Sequence, residues 1–262
     1  MSTMSLALRD SATMLRRDMR HSLRNLSMTL SGVGTPVITL ALFVYVFGDT
    51  IGAGLDGAAR GGYITYVAPA ILLMTVGSGC ATTAVNLVME VAEGIITRFR
   101  TMAIARGSVL TGQVLGGVIR TLASVVLVFG VTLLMGFRPT AGVVAWLEAF
   151  GLVALFTLGV TWMGVVFGLV GKTPAGANSL SLIFQLLLPF TSSAFVRPES
   201  MPVGIRWFAE YQPYTPVIDT LRGLLLGTPI GNSAVLAVGW CVALALVGYL
   251  GARALYNREP AV

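Results

Sequence analysis

Residues 143–170 read VVAWLEAFGLVALFTLGVTWMGVVFGLV, and this stretch decides the fold class of the chain. Its single charged residue, Glu148, lies near the start of the run. A helix needs about 20 mostly apolar residues to cross the hydrocarbon core of a bilayer, and this run exceeds that length. The 262-residue chain is 11% charged, whereas soluble domains carry about 25% charged residues. The sequence therefore predicts an all-α integral membrane protein.

Five more apolar runs have comparable length, at 28–48, 63–89, 109–136, 178–196 and 233–256. Together the runs predict six transmembrane helices in one domain over residues 28–256, with no folded soluble domain beside it. Residues 1–27 and 257–262 remain as an N-terminal segment and a short C-terminal tail. No cleavable signal peptide is expected, because the first apolar run begins only near residue 28, behind several arginines.

The positions of Lys and Arg predict the orientation, because short cytoplasmic loops carry an excess of both. With six spans both termini lie on one side, which we expect to be the cytoplasm. The net charge of +6 then reflects this orientation and contact with anionic lipid headgroups, and it does not indicate nucleic-acid binding. The terminal side would carry Arg9, Arg16, Arg17, Arg20, Arg24, Arg98, Arg100, Arg106, Lys172, Arg253 and Arg258, against Arg60, Arg138, Arg197, Arg206 and Arg222 opposite.

Two charged segments do not cross the membrane. Residues 5–26 place an apolar stripe beside a basic stripe, which predicts an amphipathic helix in the cytoplasmic membrane interface. Residues 91–107, VAEGIITRFRTMAIARG, combine charges with apolar side chains between the second and third spans. This mixture suits a helix that docks on another protein, and an ordinary cytoplasmic loop is the alternative. The expected contact residues are Glu93, Gly94, Arg98, Arg100 and Arg106.

Polar side chains within the predicted spans mark a candidate pathway. They are costly to expose to lipid, so they should face other helices or a cavity. The alternative is hydrogen bonding between helices without ligand contact. Neither a deep carboxylate nor a cluster of catalytic side chains is present, which argues against an ion-coupled secondary transporter and a membrane-embedded enzyme. The candidate pathway residues are Asn86, Gln185, Phe190, Thr191, Ser192 and Ser193.

The stretch GLVGKT at residues 168–173 resembles the end of a phosphate-binding loop. Such a loop requires G-x-x-x-x-G-K-[ST] between a strand and a helix. Val166 stands where the first glycine is needed, and a long apolar run precedes the motif. The stretch is therefore predicted to be a short loop between two helices, and any nucleotide chemistry must come from another chain.

Three stretches resemble the type-2 ABC exporter permease family, of the daunorubicin-resistance type. GIITRFRTMAIAR at 94–106 is similar to the family's cytoplasmic coupling segment, and YVAPAILLM at 66–74 is a looser match. SSAFVRPESMPVGIRWFAEYQPYTPVIDTLRGLLLG at 192–227 resembles the signature before the last span. Ala70, Ala103 and Arg197 depart from the family's usual residues. The matching positions of the signature are Phe195, Pro198, Met201, Pro202, Phe208, Ala209, Pro213, Asp219, Arg222 and Gly227.

The resemblance implies the membrane subunit of a bacterial exporter for a drug, antibiotic, lipid or glycolipid. It implies two copies of a separate subunit that binds ATP and magnesium, no cofactor bound by this chain, and a second permease subunit that forms a homodimer or heterodimer. The fifth span would form part of the dimer-facing wall, where Pro189 predicts a kink and a freed carbonyl. An ion-coupled secondary transporter of amphiphilic compounds is the alternative.

The resemblance also places residues 197–230 at the outer mouth. Several prolines interrupt this amphipathic stretch, so it is expected to form re-entrant or interfacial helices. Trp207, Tyr211 and Tyr214 are expected at headgroup level. The expected residues of the extracellular gate region are Pro198, Met201, Pro202, Pro213 and Arg222.

Overall fold

A computed structural model describes residues 26–46, 60–93, 106–195 and 201–258. Every regular element within these ranges is a helix, as predicted. The expected amphipathic helix over 5–26 and most of the segment 91–107 lie outside the described residues. The helices are α1 (Leu26–Tyr45), α2 (Arg60–Ala92), α3 (Arg106–Leu134), α4 (Val143–Gly171), α5 (Pro174–Phe190), α6 (Val203–Tyr211), α7 (Tyr214–Leu226) and α8 (Ser233–Arg258).

Among the described residues, four helices are long and apolar enough to cross a bilayer: α2, α3, α4 and α8. The first and fifth predicted spans are helices as well, but their described apolar parts, Gly34–Tyr45 and Pro174–Phe190, are shorter. The chain therefore belongs to the multi-pass membrane proteins, and the count of six crossings stays a prediction. The fifth helix also ends earlier than the predicted 178–196, since it stops at Phe190 and residues 191–195 form a turn.

The helices α2 and α4 form the centre of the bundle. They run in the same direction and touch through backbone: a Cβ added at Gly164 would lie 2.7 Å from the carbonyl oxygen of Cys80, and one at Gly168 would lie 2.8 Å from that of Ala84. Small residues allow this approach, which maximises van der Waals contact where lipid offers no hydrophobic driving force. The helix α8 packs on α4 in parallel, whereas α3 and α5 pack on α2 in the opposite direction.

The two ends of the bundle differ in the segments that they hold. We call distal the end where α3 and α5 finish and α4 begins. There the backbone N–H of Thr140 donates to the carbonyl of Leu225 at 3.0 Å, which ties the α3–α4 loop to α7. The opposite end, called proximal, holds the attachment points of the predicted coupling segment. Gln113 Nε2 there donates to Glu90 Oε2 at 3.0 Å and joins the end of α2 to the start of α3.

The stretch GLVGKT is the junction between α4 and α5, so the prediction of a short loop between two helices is confirmed. Gly171 ends α4, and Lys172 has φ of 51°, in the left-handed region that commonly ends a helix. The Thr173 hydroxyl then accepts a hydrogen bond from the Gly176 N–H at 3.1 Å. This contact caps the first turn of α5.

Residues 201–230 contain two short helices, α6 and α7, as the prolines predict. Trp207 and Tyr211 on α6 are exposed, and their placement at headgroup level stays a prediction. Tyr214 does not share that position: the prediction of a headgroup-level ring is wrong, because this side chain is fully buried. The reason is that α7 inserts among α2, α4 and α8 instead of lying on the surface.

Candidate functional site: the broken helix α5 and the distal polar cluster

The helix α5 is distorted one turn before Pro189, in the region where the sequence predicts a kink. Residues Ile183–Leu187 form a π-helical turn, and the Leu188 N–H donates to the carbonyl of Ile183. In an α-helix this N–H would instead bond to Phe184. Proline has no N–H to donate, and its ring clashes with the carbonyl four residues earlier, which belongs to Gln185. The wider turn separates the ring from that carbonyl.

Two backbone carbonyls of α5 accept hydrogen bonds from side chains at the α6–α7 junction. The Tyr214 hydroxyl donates to the Phe184 carbonyl, and Gln212 Nε2 donates to the Leu188 carbonyl at 2.8 Å. The shape of α5 therefore depends on residues 24 and 30 positions away in sequence.

A cluster of polar groups joins three segments at the distal end. We call it the distal polar cluster, and it consists of Tyr66 on α2, Ser193 after α5, and Thr215, Asp219 and Arg222 on α7. Arg222 Nη1 and Ser193 Oγ both donate to Asp219 Oδ1 at 2.9 Å. Charge-assisted bonds of this kind are stronger than those between neutral groups.

Backbone groups complete the distal polar cluster. Arg222 Nη2 donates to the Tyr66 carbonyl at 3.1 Å and to the Ser193 carbonyl at 3.3 Å. The guanidinium also lies 3.9 Å from the centre of the Tyr66 ring, a cation–π contact. The Tyr66 hydroxyl donates to the Ser193 carbonyl at 2.9 Å, and the Ser193 N–H donates to Thr215 Oγ1 at 3.1 Å. These contacts fix the turn after α5 against both α2 and α7.

The structure separates the predicted pathway residues into two groups. Phe190 is 47% exposed, and Gln185 and Thr191 are half-buried. Ser192 and Ser193 are instead buried, and their hydroxyls bond to Pro189 and Asp219 within the fold. Asn86 is half-buried on α2 and lies 20 residues beyond Tyr66, or about 30 Å along the helix, so it does not join the distal polar cluster.

Phe190 belongs to a row of three aromatic rings. The Phe190 ring centre lies 4.9 Å from that of Phe195, and the Phe195 ring stacks on Phe43 of α1 at 4.2 Å between centres. The described part of α1 thus contacts the distal end of α5 through aromatic rings.

The remaining predicted residues lie at both ends of the bundle. Glu93 is exposed just after α2, and Arg106 is the first residue of α3. Met201 is half-buried, Pro202 is exposed before α6, and Pro213 is buried where α7 begins. Gly94, Arg98, Arg100 and Pro198 lie outside the described residues.

Sequence reasoning missed the side chains that hold α5. Tyr66, Gln212 and Tyr214 have no local signal for their roles, because each bonds to the backbone of a distant segment. The hydroxyls of Ser78 and Thr82 on α2, by contrast, donate to carbonyls of their own helix. Asp219 and Arg222 do carry a signal, since opposite charges three positions apart on an apolar helix form a pair.

The bundle of long apolar helices defines an integral membrane protein, and its sequence identifies the class further. The profile of the ABC-2 type transporter family matches residues 10–226, so the chain belongs to that family. Proteins of this family are transport components, the membrane permeases of ABC transporters, and the family implies a partner subunit that binds ATP.

Two relatives carry names that refer to drug resistance. The chain is 28% identical over 193 residues to the daunorubicin resistance ABC transporter permease protein DrrB1 of Streptomyces coeruleorubidus. The aligned region covers 74% of this chain and 66% of the relative. It is 24% identical over 181 residues to the probable doxorubicin resistance ABC transporter permease protein DrrC of Mycobacterium tuberculosis. Here the aligned region covers 69% of this chain and 65% of the relative. The match thus spans slightly less than two thirds of each relative's length.

Proposed function

We propose that this chain is the membrane-spanning permease subunit of a bacterial ABC exporter. It moves a hydrophobic or amphiphilic compound outward, and a separate subunit hydrolyses the ATP that drives transport. The observation that carries the proposal is the family match over residues 10–226, which includes α1 to α7. The names of both relatives support a drug or antibiotic as the cargo, and a lipid or glycolipid has the same amphiphilic chemistry.

The proposed complex contains two permease subunits, identical or different, and two ATP-binding subunits. This chain binds no cofactor, and ATP with magnesium is held by the partner. Each permease crosses the membrane six times with both termini in the cytoplasm. Two features support this count: α1 has 20 residues, about the length that a crossing requires, and the 17 residues of α5 span about 25 Å before the turn that follows.

The proximal end is the proposed contact with the ATP-binding subunit, through Glu93, Gly94, Arg98, Arg100 and Arg106. The exposure of Glu93 supports this contact. The hydrogen bond between Glu90 and Gln113 supports it as well, because it holds together the two helices that flank the segment. A movement of this segment would therefore displace α2 and α3 together.

The distal half of α5 is the proposed wall of the pathway, at the interface with the second permease. The exposure of Phe190 and the partial exposure of Gln185 support this role. Ser192 and Ser193 contribute by holding the wall in place, since their hydroxyls already have partners within the subunit. Pro198, Met201, Pro202, Pro213 and Arg222 belong to the proposed outer gate region.

The test is reconstitution in lipid vesicles with and without the ATP-binding subunit. We expect uptake of doxorubicin into inside-out vesicles only when both subunits and ATP are present, and no ATP hydrolysis by this chain alone. Glu93→Lys should remove the transport-linked ATPase activity, whereas Glu148→Lys, at an exposed carboxylate near the distal end, should not. Transport driven by an ion gradient without ATP would instead identify an ion-coupled secondary transporter.

A further inference from the structure

Two side chains of the α6–α7 junction hydrogen-bond to the backbone of α5 on either side of the point where its register changes. We infer that Tyr214 and Gln212 are positioning residues that hold α5 in its π-helical form and thereby set which side chains of residues 187–190 face outward. The consequence for transport rests on the proposed function, whereas the register itself does not. The inference follows from the competition of two donors for one carbonyl.

The competing donors are the Leu188 N–H and the Tyr214 hydroxyl. An α-helical register requires the Leu188 N–H to bond to Phe184, but in this structure it bonds to Ile183. The Phe184 carbonyl accepts the Tyr214 hydroxyl instead. Pro189 permits the wider turn, but a buried carbonyl without a donor is unfavourable. Removing the Tyr214 hydroxyl therefore leaves the Leu188 N–H as the donor that can replace it, which shifts the balance toward the α-helical register.

The second positioning residue acts beyond the π-helical turn. Gln212 Nε2 bonds to the Leu188 carbonyl, and the Ser192 N–H, which would reach that carbonyl in an α-helix, donates to Pro189. The two donors from the α6–α7 junction therefore lie on either side of the point where the register changes. Both hold the chain in the form with one extra residue in the turn.

A change to the α-helical register would move the residues after the turn. Each would advance by one helical position, a rotation of about 100° and a shift of about 1.5 Å. Leu187, which is 54% exposed, would take the position of Leu188, which is 8% exposed. Phe190 would move toward the position of Thr191, whereas Leu182, before the turn, would stay in place.

The hydroxyl of Tyr214 can be removed without removing the packing contact of its ring. The ring packs edge-on against Phe156 at 5.1 Å between ring centres, and Tyr214→Phe keeps that contact. Tyr63 provides a matched control, since it is fully buried and its hydroxyl has no hydrogen-bond partner within the part of the chain that the structure describes. Tyr63→Phe removes the same group without freeing a carbonyl.

The experiment measures the register with nitroxide spin labels. The full chain, with Cys80→Ala and Cys241→Ala, is labelled in separate variants at Leu182→Cys, Leu187→Cys and Phe190→Cys, and accessibility to oxygen is recorded in lipid vesicles. We expect Tyr214→Phe to lower the accessibility of the label at 187 to the level of a label at the buried position Leu188, and to change the label at 190. The label at 182 should be unaffected, and Tyr63→Phe should change none of them.

Unchanged accessibility at 187 and 190 in Tyr214→Phe would overturn the inference, whatever transport does. If that variant does not fold, Gln212→Met removes the second donor and should produce the same change at 190. ATP-driven doxorubicin uptake in the reconstituted complex is measured separately. A shifted register with lower uptake supports both claims, whereas a shifted register with normal uptake keeps the positioning role and contradicts the proposed pathway.

Discussion

The helices α4 and α5 follow each other in the sequence, yet their shapes are determined in different ways. The helix α4 runs without interruption from Val143 to Gly171, and its buried hydroxyls on Thr157 and Thr161 donate at 2.7 Å to carbonyls of the same helix. The helix α5 is broken, and two of its carbonyls accept bonds from Gln212 and Tyr214 at the α6–α7 junction. Thus α4 keeps its own geometry, whereas the geometry of α5 depends on a second element.

The largest loss of stability is expected from a substitution at the contact between α4 and α2. Gly164→Ala places a methyl group 2.7 Å from the backbone oxygen of Cys80, and a backbone atom cannot move aside as a side chain can. We expect a loss of about 2–3 kcal/mol in unfolding free energy, measured by denaturation in detergent. Gly151→Ala is the matched control on α4, since a Cβ there meets nothing within 4 Å. Equal effects of both substitutions would contradict the close approach.

The next effect concerns the distal polar cluster that holds the end of α5. Arg222→Gln removes the bond to Asp219 and the two bonds to the backbone carbonyls of Tyr66 and Ser193. We expect a loss of about 2 kcal/mol in unfolding free energy, because these are charge-assisted and partly buried bonds. The same measurement applies as for Gly164.

A second ion pair near the distal end provides the control for Arg222. Arg206 and Glu210 pair at 2.7 Å on α6, but their side chains are 45% and 38% exposed. Arg206→Gln should change the unfolding free energy by less than about 1 kcal/mol, because exposed ion pairs contribute little. If Arg206→Gln destabilised as much as Arg222→Gln, the distal polar cluster would have no special part in holding α5.

A smaller effect is expected from the second donor to α5. Gln212→Leu removes the bond to the Leu188 carbonyl, but it also removes a buried Oε1 that has no hydrogen-bond partner among the described residues. The two contributions oppose each other, so we expect a net loss of about 1 kcal/mol in unfolding free energy. A stabilised variant would show that this bond does not hold α5.

The smallest effect is expected within α4. Thr161→Val removes a hydroxyl that donates to the Thr157 carbonyl. In a regular α-helix that carbonyl also accepts a backbone N–H, so it keeps a donor without the hydroxyl. We expect a change of less than about 0.5 kcal/mol in unfolding free energy, since surface area and volume are almost unchanged. A loss as large as that of Gln212→Leu would remove the distinction between the two helices.

Composition predicts the long helices well, because length and apolar character are properties of one segment. The predicted run 143–170 corresponds to α4, Val143–Gly171, almost residue for residue. The loop at 168–173 was also predictable, since a glycine and a proline lie on either side of Lys172 and Thr173. These features require no knowledge of what packs against them.

The site was less predictable, because its contacts join distant segments. Pro189 predicts a distortion of α5, but nothing near it indicates that Tyr214 and Gln212 supply the missing donors. The same limit explains why Tyr214 was expected at the membrane surface: its sequence neighbours are polar and aromatic, while its burial depends on α2, α4 and α8. Whether residues 178–196 line a route also depends on a second subunit.

The short junction between Gly171 and Thr173 has a mechanical consequence. The junction is only a few residues long, and the hydrogen bond from Gly176 to Thr173 fixes the start of α5. The helix α5 therefore cannot slide along α4. At its other end the turn after Phe190 is bound to α2 and α7 through Ser193. The helix is thus anchored at both ends, so a displacement of α4 at the proximal end, or of α2 or α7 at the distal end, is transmitted to α5 and is not absorbed by the connecting segments.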